Sequence, residues 1–231
     1  MANGKSKTFK LTKKDFRDIS LTPNQKIYSD AIFKNKITFC SGPAGTSKTF
    51  TACYTALQML AKGEVKEIIL TKPIQESGEK LGSLPGDEDE KVRPYLESFI
   101  LTMQKIIPKE MVTFLFADGR ISFRPLAYMR GATFDDAVMI LDEAQNCDMK
   151  QIMLYVSRIG RDSTVIVAGD ITQYDIAFNK VALPNFIEMV KGIDHVGIFG
   201  FKEEDIVRSE ILKVIVKRYE KWKYDEFKSK S

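Results

Sequence analysis

The run of residues 42–49 constrains the fold of this chain more than any other feature. Its members are Gly42, Pro43, Ala44, Gly45, Thr46, Ser47, Lys48 and Thr49. The run follows an apolar, strand-like stretch, 37–40, and precedes a helical pattern from Phe50. Small residues in that setting let backbone N–H groups surround a phosphate, while the following helix turns its positive end toward the same charge. The pattern predicts a phosphate-binding loop; the alternative is a glycine-rich turn with a chance lysine.

Two side chains at the end of this phosphate loop have expected roles. Lys48 is expected to neutralise the β- and γ-phosphates of a nucleotide, and the Thr49 hydroxyl to hold Mg²⁺. The residue before the lysine is Ser47, where the usual pattern has glycine. Because a Cβ now occupies this position, we expect a local departure from the usual loop geometry.

Composition excludes several classes of protein. The 231 residues, 44% hydrophobic and 29% charged, suit one ordinary α/β domain. No apolar run approaches the roughly 20 residues of a membrane helix, and the lysine-rich start lacks a signal-peptide core, so we expect a cytoplasmic protein. Cys40, Cys53 and Cys147 are widely spaced, so we expect reduced core thiols rather than disulfides or zinc ligands. The single histidine, His195, cannot build a metal site or a hydrolase triad by itself.

Charge is a weak guide to partners in this chain. The net charge is +4, and lysines concentrate in 5–14 and 213–230. Solvated tails and contact with nucleic acid both explain this distribution, and charge alone favours solvated tails.

Apolar runs alternate with helical patterns along the chain. Near-continuously apolar runs predict buried parallel strands at 37–40, 68–71, 137–141 and 165–168. Helical periodicity covers 49–62, 94–107 and 149–157. This βαβ series predicts a mostly parallel sheet flanked by helices, with the ligand crevice at the carboxyl ends of the strands.

Two further elements are predicted outside that series. Residues 114–116 and 121–123, separated by a turn with Gly119, predict a β-hairpin. Residues 205–227 carry an apolar stripe at helical spacing, which predicts an amphipathic terminal helix packed on the core.

Polar residues follow two of the predicted strands. Asp142 and Glu143 come directly after 137–141. We expect Asp142 to hold the Mg²⁺ shell and Glu143 to orient or deprotonate the attacking water; the alternative is a simple helix cap. Gln173 closes the run 169–173 and is expected to bond the γ-phosphate or the water; the alternative there is an Asx-type turn.

The ordered motifs together resemble PhoH-like proteins, which are P-loop NTPases related to the first RecA-like domain of superfamily 1 helicases. The resemblance runs from about Thr22 to Tyr219. It is carried by 21–25, 42–49, 70–73, 78–87, Lys91, 94–95, 128–131, 141–146, 169–173 and 205–208. The chain departs from the family at Ser47, at Lys72, where arginine is commoner, and at Ser209, where histidine is commoner.

This resemblance implies a RecA-like α/β fold with ATP and Mg²⁺ as ligands. Gln25 would read the adenine edge, as the helicase glutamine motif does. The segment 71–87 corresponds to a region that contacts the nucleic-acid backbone in related helicases; a plain surface loop is the alternative. The resemblance also divides the chain into a basic N-terminal tail, 1–20, and a PhoH-like P-loop NTPase domain, 21–231.

Superfamily 1 helicases complete their active site with arginines from a second lobe, because the charge of the transition state needs a fixed cation. The 231 residues leave no room for such a lobe, so we expect a neighbouring subunit to supply the arginine within a homo-oligomeric ring, a hexamer being the usual size. Arg208 and Arg130 are the first candidates, followed by Arg158 and Arg161. A surface ion pair is the alternative role for each.

Two classes of function remain open. The first is an ATP-binding, Mg²⁺-dependent ATPase that acts on single-stranded nucleic acid, RNA more than DNA, with helicase-like remodelling. The second is an ATP-dependent oligomeric switch or scaffold that does not translocate. Stimulation of ATP turnover by nucleic acid, weakening with salt, separates the two.

Overall fold

The structure, a computed structural model, describes residues 10–73, 88–171 and 182–207, and the single positions 211, 214, 215, 218, 219 and 222. The strands are β1 (Ile37–Ser41), β2 (Glu67–Thr71), β3 (Ile121–Phe123), β4 (Ala137–Leu141), β5 (Thr164–Gly169) and β6 (Val196–Gly200). The helices are α1 (Pro23–Lys34), α2 (Lys48–Lys62), α3 (Glu88–Gln104), α4 (Lys109–Ala117), α5 (Met149–Val156) and α6 (Leu183–Val190).

The strands form one sheet in the order β3-β2-β4-β5-β1-β6, and every pairing is parallel. The central strands β4 and β5 are buried at every position. Their near-continuous apolar sequence follows from this burial, because both faces of a parallel sheet are covered by helices. The predicted parallel α/β sheet is therefore confirmed.

Two apolar layers cover the sheet, because successive side chains of a strand point to opposite faces. Ile68 and Leu70 of β2 pack in one layer with residues of α1, α2, α3 and α4. Ile69 packs in the other layer with residues of α5 and α6. Cys40, Cys53 and Cys147 are buried and unpaired, as expected, and burial raises the pKa of Cys40 and Cys147 to about 12.

The predicted β-hairpin at 114–123 is wrong. Residues 109–117 form α4, which buries Met111, Val112 and Leu115. The strand that follows, β3, pairs in parallel with β2, and Ile68 lies opposite Ile121. Three apolar residues in a row fit a strand and a buried helix turn equally well, so the local pattern could not separate them.

Strand β6 was not predicted. It contains Gly197 and Gly200, and glycine is disfavoured within strands. A Cβ at Gly197 would lie 2.6 Å from the side-chain amide nitrogen of Asn35. The glycine that makes the strand hard to predict from sequence thus packs closely against the Asn35 side chain at the end of α1.

The predicted terminal helix does not pack on the core at the positions described. Residues 211, 214, 215, 218, 219 and 222 are helical. Ile211, Ile215, Tyr219 and Trp222 are 66%, 54%, 52% and 57% exposed, respectively. Their apolar stripe is therefore a surface feature of the single chain.

Part of the predicted N-terminal tail contacts the domain. Leu11 is buried in the first apolar layer. The backbone N–H of Arg17 donates to the carbonyl oxygen of Ile106 at 2.8 Å, and its Nε donates to the carbonyl oxygen of Gln104 at 3.1 Å. Within the described part of the chain, no helix combines the length and the apolar character that a bilayer crossing demands.

Candidate nucleotide site at the carboxyl ends of the strands

The phosphate loop joins the end of β1 to the start of α2 and is held by the segment after β6. Gly42 has a φ of +152°, and a Cβ there would lie 2.7 Å from the Cβ of Phe201. The backbone N–H of Phe201 donates to the carbonyl oxygen of Ser41 at 2.8 Å, and that of Val207 donates to the carbonyl oxygen of Gly45 at 3.0 Å. Backbone hydrogen bonds from the segment after β6 therefore hold both the start and the middle of the loop.

Ser47 meets the loop's conformational demand at a cost. It caps α2 with a φ of 67° and a ψ of 30°, in the left-handed region, and its side chain makes no capping hydrogen bond. A residue with a Cβ is strained there by about 1 kcal/mol. The serine thus adopts the backbone conformation that favours glycine.

Lys48 lies within the phosphate loop. Its Nζ donates to the carbonyl oxygens of Gly42, at 2.6 Å, and Pro43, at 2.9 Å. The hydroxyl of Thr46, which is buried, donates to the same Pro43 oxygen at 2.9 Å. A cation and the N-terminal end of α2 therefore converge on one point, which is the arrangement that attracts a phosphate.

The two predicted metal-binding residues contact each other. The hydroxyl of Thr49 donates to Asp142 Oδ1 at 2.8 Å, across 93 residues of sequence. Asp142 is 3% exposed, and its backbone N–H donates to the carbonyl oxygen of Thr71. Hydroxyl and carboxylate oxygens are the hard ligands that Mg²⁺ prefers. In the part of the chain described, no three His, Cys, Asp or Glu side chains converge as a metal cage, so water or phosphate oxygens would complete the coordination shell of Mg²⁺ here.

Lys72 lies beside Asp142, a position that the sequence did not predict. Its Nζ lies 3.3 Å from Asp142 Oδ2 and donates to the hydroxyl of Ser98 in α3 at 2.8 Å. The same Nζ lies 5.1 Å from the ring centroid of Phe99. From the sequence, Lys72 was a departure from the commoner arginine and part of the segment 71–87, for which contact with nucleic acid was the expectation.

Glu143 is held close to Asp142. It has a φ of 57°, an uncommon backbone conformation for glutamate. Burial, and then the neighbouring charge of Asp142, raises the pKa of Glu143 above the ordinary carboxyl value, while Gln145, Lys72 and Lys48 act in the opposite direction. A carboxyl group with a raised pKa is a stronger base once ionised.

Gln145 connects two strand ends. Its Nε2 donates to Glu143 Oε2 at 2.6 Å, and its Oε1 accepts from the backbone N–H of Asp170 at 2.9 Å. A Cβ at Gly169 would lie 2.9 Å from Gln145 Oε1. Gln145 therefore orients Glu143 from the end of β5, a role that the sequence did not suggest.

A cavity of about 420 Å³, the phosphate cleft, is lined by Lys48, Thr49, Asp142, Glu143 and Gln145. Its other walls are the rest of the phosphate loop, residues 169–170, Thr102 at the end of α3 and Lys105 just after it. A second cavity of about 670 Å³, the side cavity, is lined by 22–24 and 204–207. Val207 lines both, so the two cavities adjoin.

Gln25 does not line either cavity. Its Oε1 accepts from the backbone N–H of Thr22 at 3.0 Å, which closes a capping box at the start of α1. Its neighbour Asn24 does line the side cavity, and the Asn24 side-chain amide donates to Asp205 Oδ1 at 2.6 Å. The role of Gln25 in reading adenine stays a prediction.

Three of the predicted arginines, Arg130, Arg158 and Arg161, lie away from the phosphate cleft of their own chain. Arg130 is exposed and lines a third cavity of about 370 Å³ with residues of α5. The Arg158 guanidinium donates to the carbonyl oxygens of Leu154 and Ala132. Arg161 lies 3.5 Å from Asp135. The predicted Gln173 and Arg208 fall outside the described residues, as does most of the segment 71–87.

Two solved structures have a fold similar to that of this chain. The large terminase of a thermophilic bacteriophage matches with a TM-score of 0.54 and 10% identity, over 87% of this chain and 50% of the terminase. A Sulfolobus solfataricus SWI2/SNF2 ATPase core in complex with dsDNA matches with a TM-score of 0.50 and 14% identity, over 84% of this chain and 47% of the core. At such low identity the likeness shows a shared fold, that of RecA-like ATPase cores.

Sequence relatives are much closer. A PhoH-like protein of Bacillus subtilis (strain 168) is 41% identical over 201 residues, which are 87% of this chain and 63% of that protein. Protein PhoH of Escherichia coli (strain K12) is 37% identical over 205 residues, which are 86% of this chain and 58% of that protein. The chain thus spans about three fifths of the length of these relatives. The PhoH-like protein family matches residues 19–220, nearly the whole chain, and this protein therefore belongs to that family.

Proposed function

We propose that this protein binds Mg·ATP in the phosphate cleft and hydrolyses it. The observation that carries this proposal is the 2.8 Å contact between Thr49 and Asp142. It brings the last hydroxyl of the phosphate loop to the carboxylate that follows β4, and these are the two oxygen ligands that a nucleotide-bound Mg²⁺ requires.

The phosphate loop, Lys48 and Glu143 have separate tasks in the proposed reaction. The loop N–H groups bind the β-phosphate, and Lys48 exchanges the carbonyl oxygens of Gly42 and Pro43 for phosphate oxygens. Glu143 Oε2 is engaged by Gln145, which leaves Oε1 to accept a proton from the attacking water. Bound Mg²⁺ supplies positive charge to the phosphoryl oxygens.

We place the nucleoside in the side cavity, because it adjoins the phosphate cleft at Val207. Glu204, Asp205 and Asn24 line it, and their oxygens can accept hydrogen bonds from an exocyclic amine or from ribose hydroxyls.

For Gln25 to read adenine, its amide has to leave the backbone N–H of Thr22. A Gln25→Ala variant tests this through the ratio of ATP to GTP affinity, which we expect to fall.

A neighbouring subunit is proposed to supply the catalytic arginine. Within the described part of the chain, the cations lining the phosphate cleft are Lys48 and Lys105, and no arginine does so. Arg130, exposed on another face, remains a candidate together with Arg208. The exposed stripe of Ile211, Ile215, Tyr219 and Trp222 supports a homo-oligomer, because apolar patches of this kind mark interaction surfaces. The hexameric ring is part of this proposal.

Single-stranded nucleic acid, RNA more than DNA, is the proposed substrate of the ATPase. Family membership and a fold shared with a dsDNA-bound ATPase core support it. The test is phosphate release with increasing single-stranded RNA or DNA at two salt concentrations. Stimulation that weakens with salt supports remodelling of nucleic acid. If no nucleic acid changes the rate of ATP turnover, the alternative function, an ATP-dependent switch or scaffold, is favoured. The exposed terminal helix also suits that function.

Lys48→Ala tests the nucleotide site itself. We expect ATP affinity, measured by calorimetry, to fall at least about tenfold, because a charged hydrogen-bond donor to phosphate is lost. Lys66→Ala is the matched control, since Lys66 is exposed and lies at the opposite end of the sheet. Equal ATP affinity in wild type and Lys48→Ala would refute the proposal.

A further inference from the structure

The register of two strands places a lysine beside the metal-site carboxylate. In the parallel pair β2–β4, Thr71 lies opposite Leu141. Lys72 and Asp142 are the next residues along each strand, and the Lys72 Nζ lies 3.3 Å from Asp142 Oδ2. The ion pair is therefore set by the sheet itself rather than by a surface loop.

Lys72 is also held from a second direction. Its Nζ donates to Ser98 Oγ at 2.8 Å, and that hydroxyl donates to the carbonyl oxygen of Tyr95 at 3.0 Å. The ring of Phe99 lies within cation–π range of the same ammonium. Two residues of α3 thus keep the positive charge beside the phosphate cleft.

Asp142 needs a compensating charge at this position. Its side chain is 5% exposed, and the carboxyl group of Glu143 is its neighbour in sequence. Burial of a carboxylate without a partner is costly. Lys48, the other nearby cation, donates to two carbonyl oxygens of the phosphate loop, so its hydrogen bonds are directed away from Asp142.

We propose that Lys72 is the resident counter-ion of the metal site: its ammonium neutralises Asp142 when no divalent cation is bound and competes with that cation for Asp142 Oδ2. Thr49 binds the other oxygen, Oδ1. A divalent cation at this carboxylate displaces the Lys72 ammonium toward Ser98 and Phe99. The inference rests on the proposed Mg·ATP site. It makes Lys72 a residue that lowers the affinity of that site for a divalent cation.

The direct test is titration of nucleotide-free protein with Mn²⁺, followed by electron paramagnetic resonance. In Lys72→Met the competing charge is gone, and we expect Mn²⁺ to bind about tenfold more tightly than in wild type. Lys72→Arg keeps the charge and should bind Mn²⁺ as wild type does. Unchanged or weaker Mn²⁺ binding by Lys72→Met would overturn the inference.

A second test measures the dissociation constant of a non-hydrolysable ATP analogue by calorimetry, in EDTA and in Mg²⁺. In EDTA, Lys72→Met leaves the γ-phosphate facing an uncompensated Asp142, so the analogue should bind more weakly. In Mg²⁺ that charge is balanced again. The dissociation constant in EDTA divided by that in Mg²⁺ should therefore be about tenfold larger for Lys72→Met than for wild type.

Lys66→Met is the matched control for both tests, because it also removes the lysine of a Lys–Asp pair between the flanks of β2 and β4. Equal weakening of the analogue by Lys72→Met in EDTA and in Mg²⁺ would instead make Lys72 a phosphate ligand and refute the counter-ion role. If wild type binds no analogue in either condition, the proposed function fails, while the Mn²⁺ titration still decides the counter-ion role. Should Lys72→Met not fold, Lys72→Gln, which retains a donor without the charge, carries the same expectations.

Discussion

The two ends of the β2–β4 pair carry the same ion pair in opposite environments. At the amino end, Lys66 Nζ lies 2.6 Å from Asp136 Oδ2, and the two side chains are 81% and 35% exposed. At the carboxyl end, Lys72 Nζ lies 3.3 Å from Asp142 Oδ2, and the side chains are 12% and 5% exposed. The shorter pair is solvated and contributes little, whereas the longer pair is shielded from water. Burial, and not distance, therefore distinguishes the pair at the candidate site from the solvated pair.

The two ends also differ in which residues take positive φ. Asp136, Asp162 and His195 do so just before strands, at the amino end of the sheet. These residue types tolerate the left-handed region in tight turns. At the carboxyl end the non-glycine residues with positive φ are Ser47 and Glu143, which line the phosphate cleft. At the candidate site, positive φ is therefore adopted by residue types that tolerate it less well, which indicates backbone strain there.

The largest contrast should come from removing the charge of each aspartate. Asp142→Asn is expected to lower kcat for ATP hydrolysis about a thousandfold, because the proposed carboxylate ligand of Mg²⁺ is lost. Asp136→Asn, at the solvated end, should leave kcat unchanged. Steady-state phosphate release measures both. Similar losses in the two variants would break the distinction between the ends.

Glu143→Gln sharpens the comparison by removing the second carboxylate of the buried end. We expect hydrolysis to fall at least about a hundredfold while nucleotide affinity is retained, because the proton acceptor is lost and the phosphate contacts are kept. Single-turnover kinetics and calorimetry measure the two effects.

The same variant has a pH signature in its stability. Because the pKa of Glu143 is raised in the folded state, its ionisation destabilises the fold as pH rises through that pKa. Glu143→Gln should therefore raise Tm at pH 7, and the gain should vanish below about pH 4, where the carboxyl group is protonated in both states. A gain that does not change between these pH values would contradict the raised pKa.

Lysine removal compares the two ends for stability. Lys72→Met should lower the free energy of unfolding by about 1–3 kcal/mol, because Asp142 loses a charged partner while largely buried. Lys66→Met should leave Tm unchanged, because water solvates the exposed Asp136 carboxylate when the lysine is removed. Urea denaturation of both variants decides the difference. A larger loss in Lys66→Met would reverse the ranking by burial.

The smallest expected effect concerns backbone strain. Ser47→Gly should stabilise the fold by up to about 1 kcal/mol, because glycine adopts a φ of 67° without a Cβ clash. Asp162→Gly, at a φ of 53° in an exposed turn, should gain less, since aspartate tolerates this region. Thermal melts of the two variants provide the comparison, and a larger gain in Asp162→Gly would show that strain is not concentrated at the site.

The elements with a strong apolar pattern could be predicted from sequence, whereas weakly patterned ones, including the 12-residue helix α1, could not. The predicted strand 137–141 has the bounds of β4, and the helix predicted at 49–62 begins one residue early, at Lys48. By contrast, Phe114 belongs to a helix that was mistaken for a strand, and β6 was missed at Gly197. Over three to five residues, local preferences are weaker than the tertiary contacts that decide the structure.

The sequence alone determined the chemistry that is available: a glycine-rich loop ending in Lys48 and Thr49, an acidic pair after an apolar strand, and membership of one family. These signals are local, because each motif depends on a few adjacent residues and on the strand before it. Only the tertiary structure decided that Lys72 faces Asp142, that Gln145 joins Glu143 to β5, and that Arg130 lies away from the phosphate cleft. Strand order in the sheet sets those neighbours, and strand order depends on how the helices pack, which no single segment encodes.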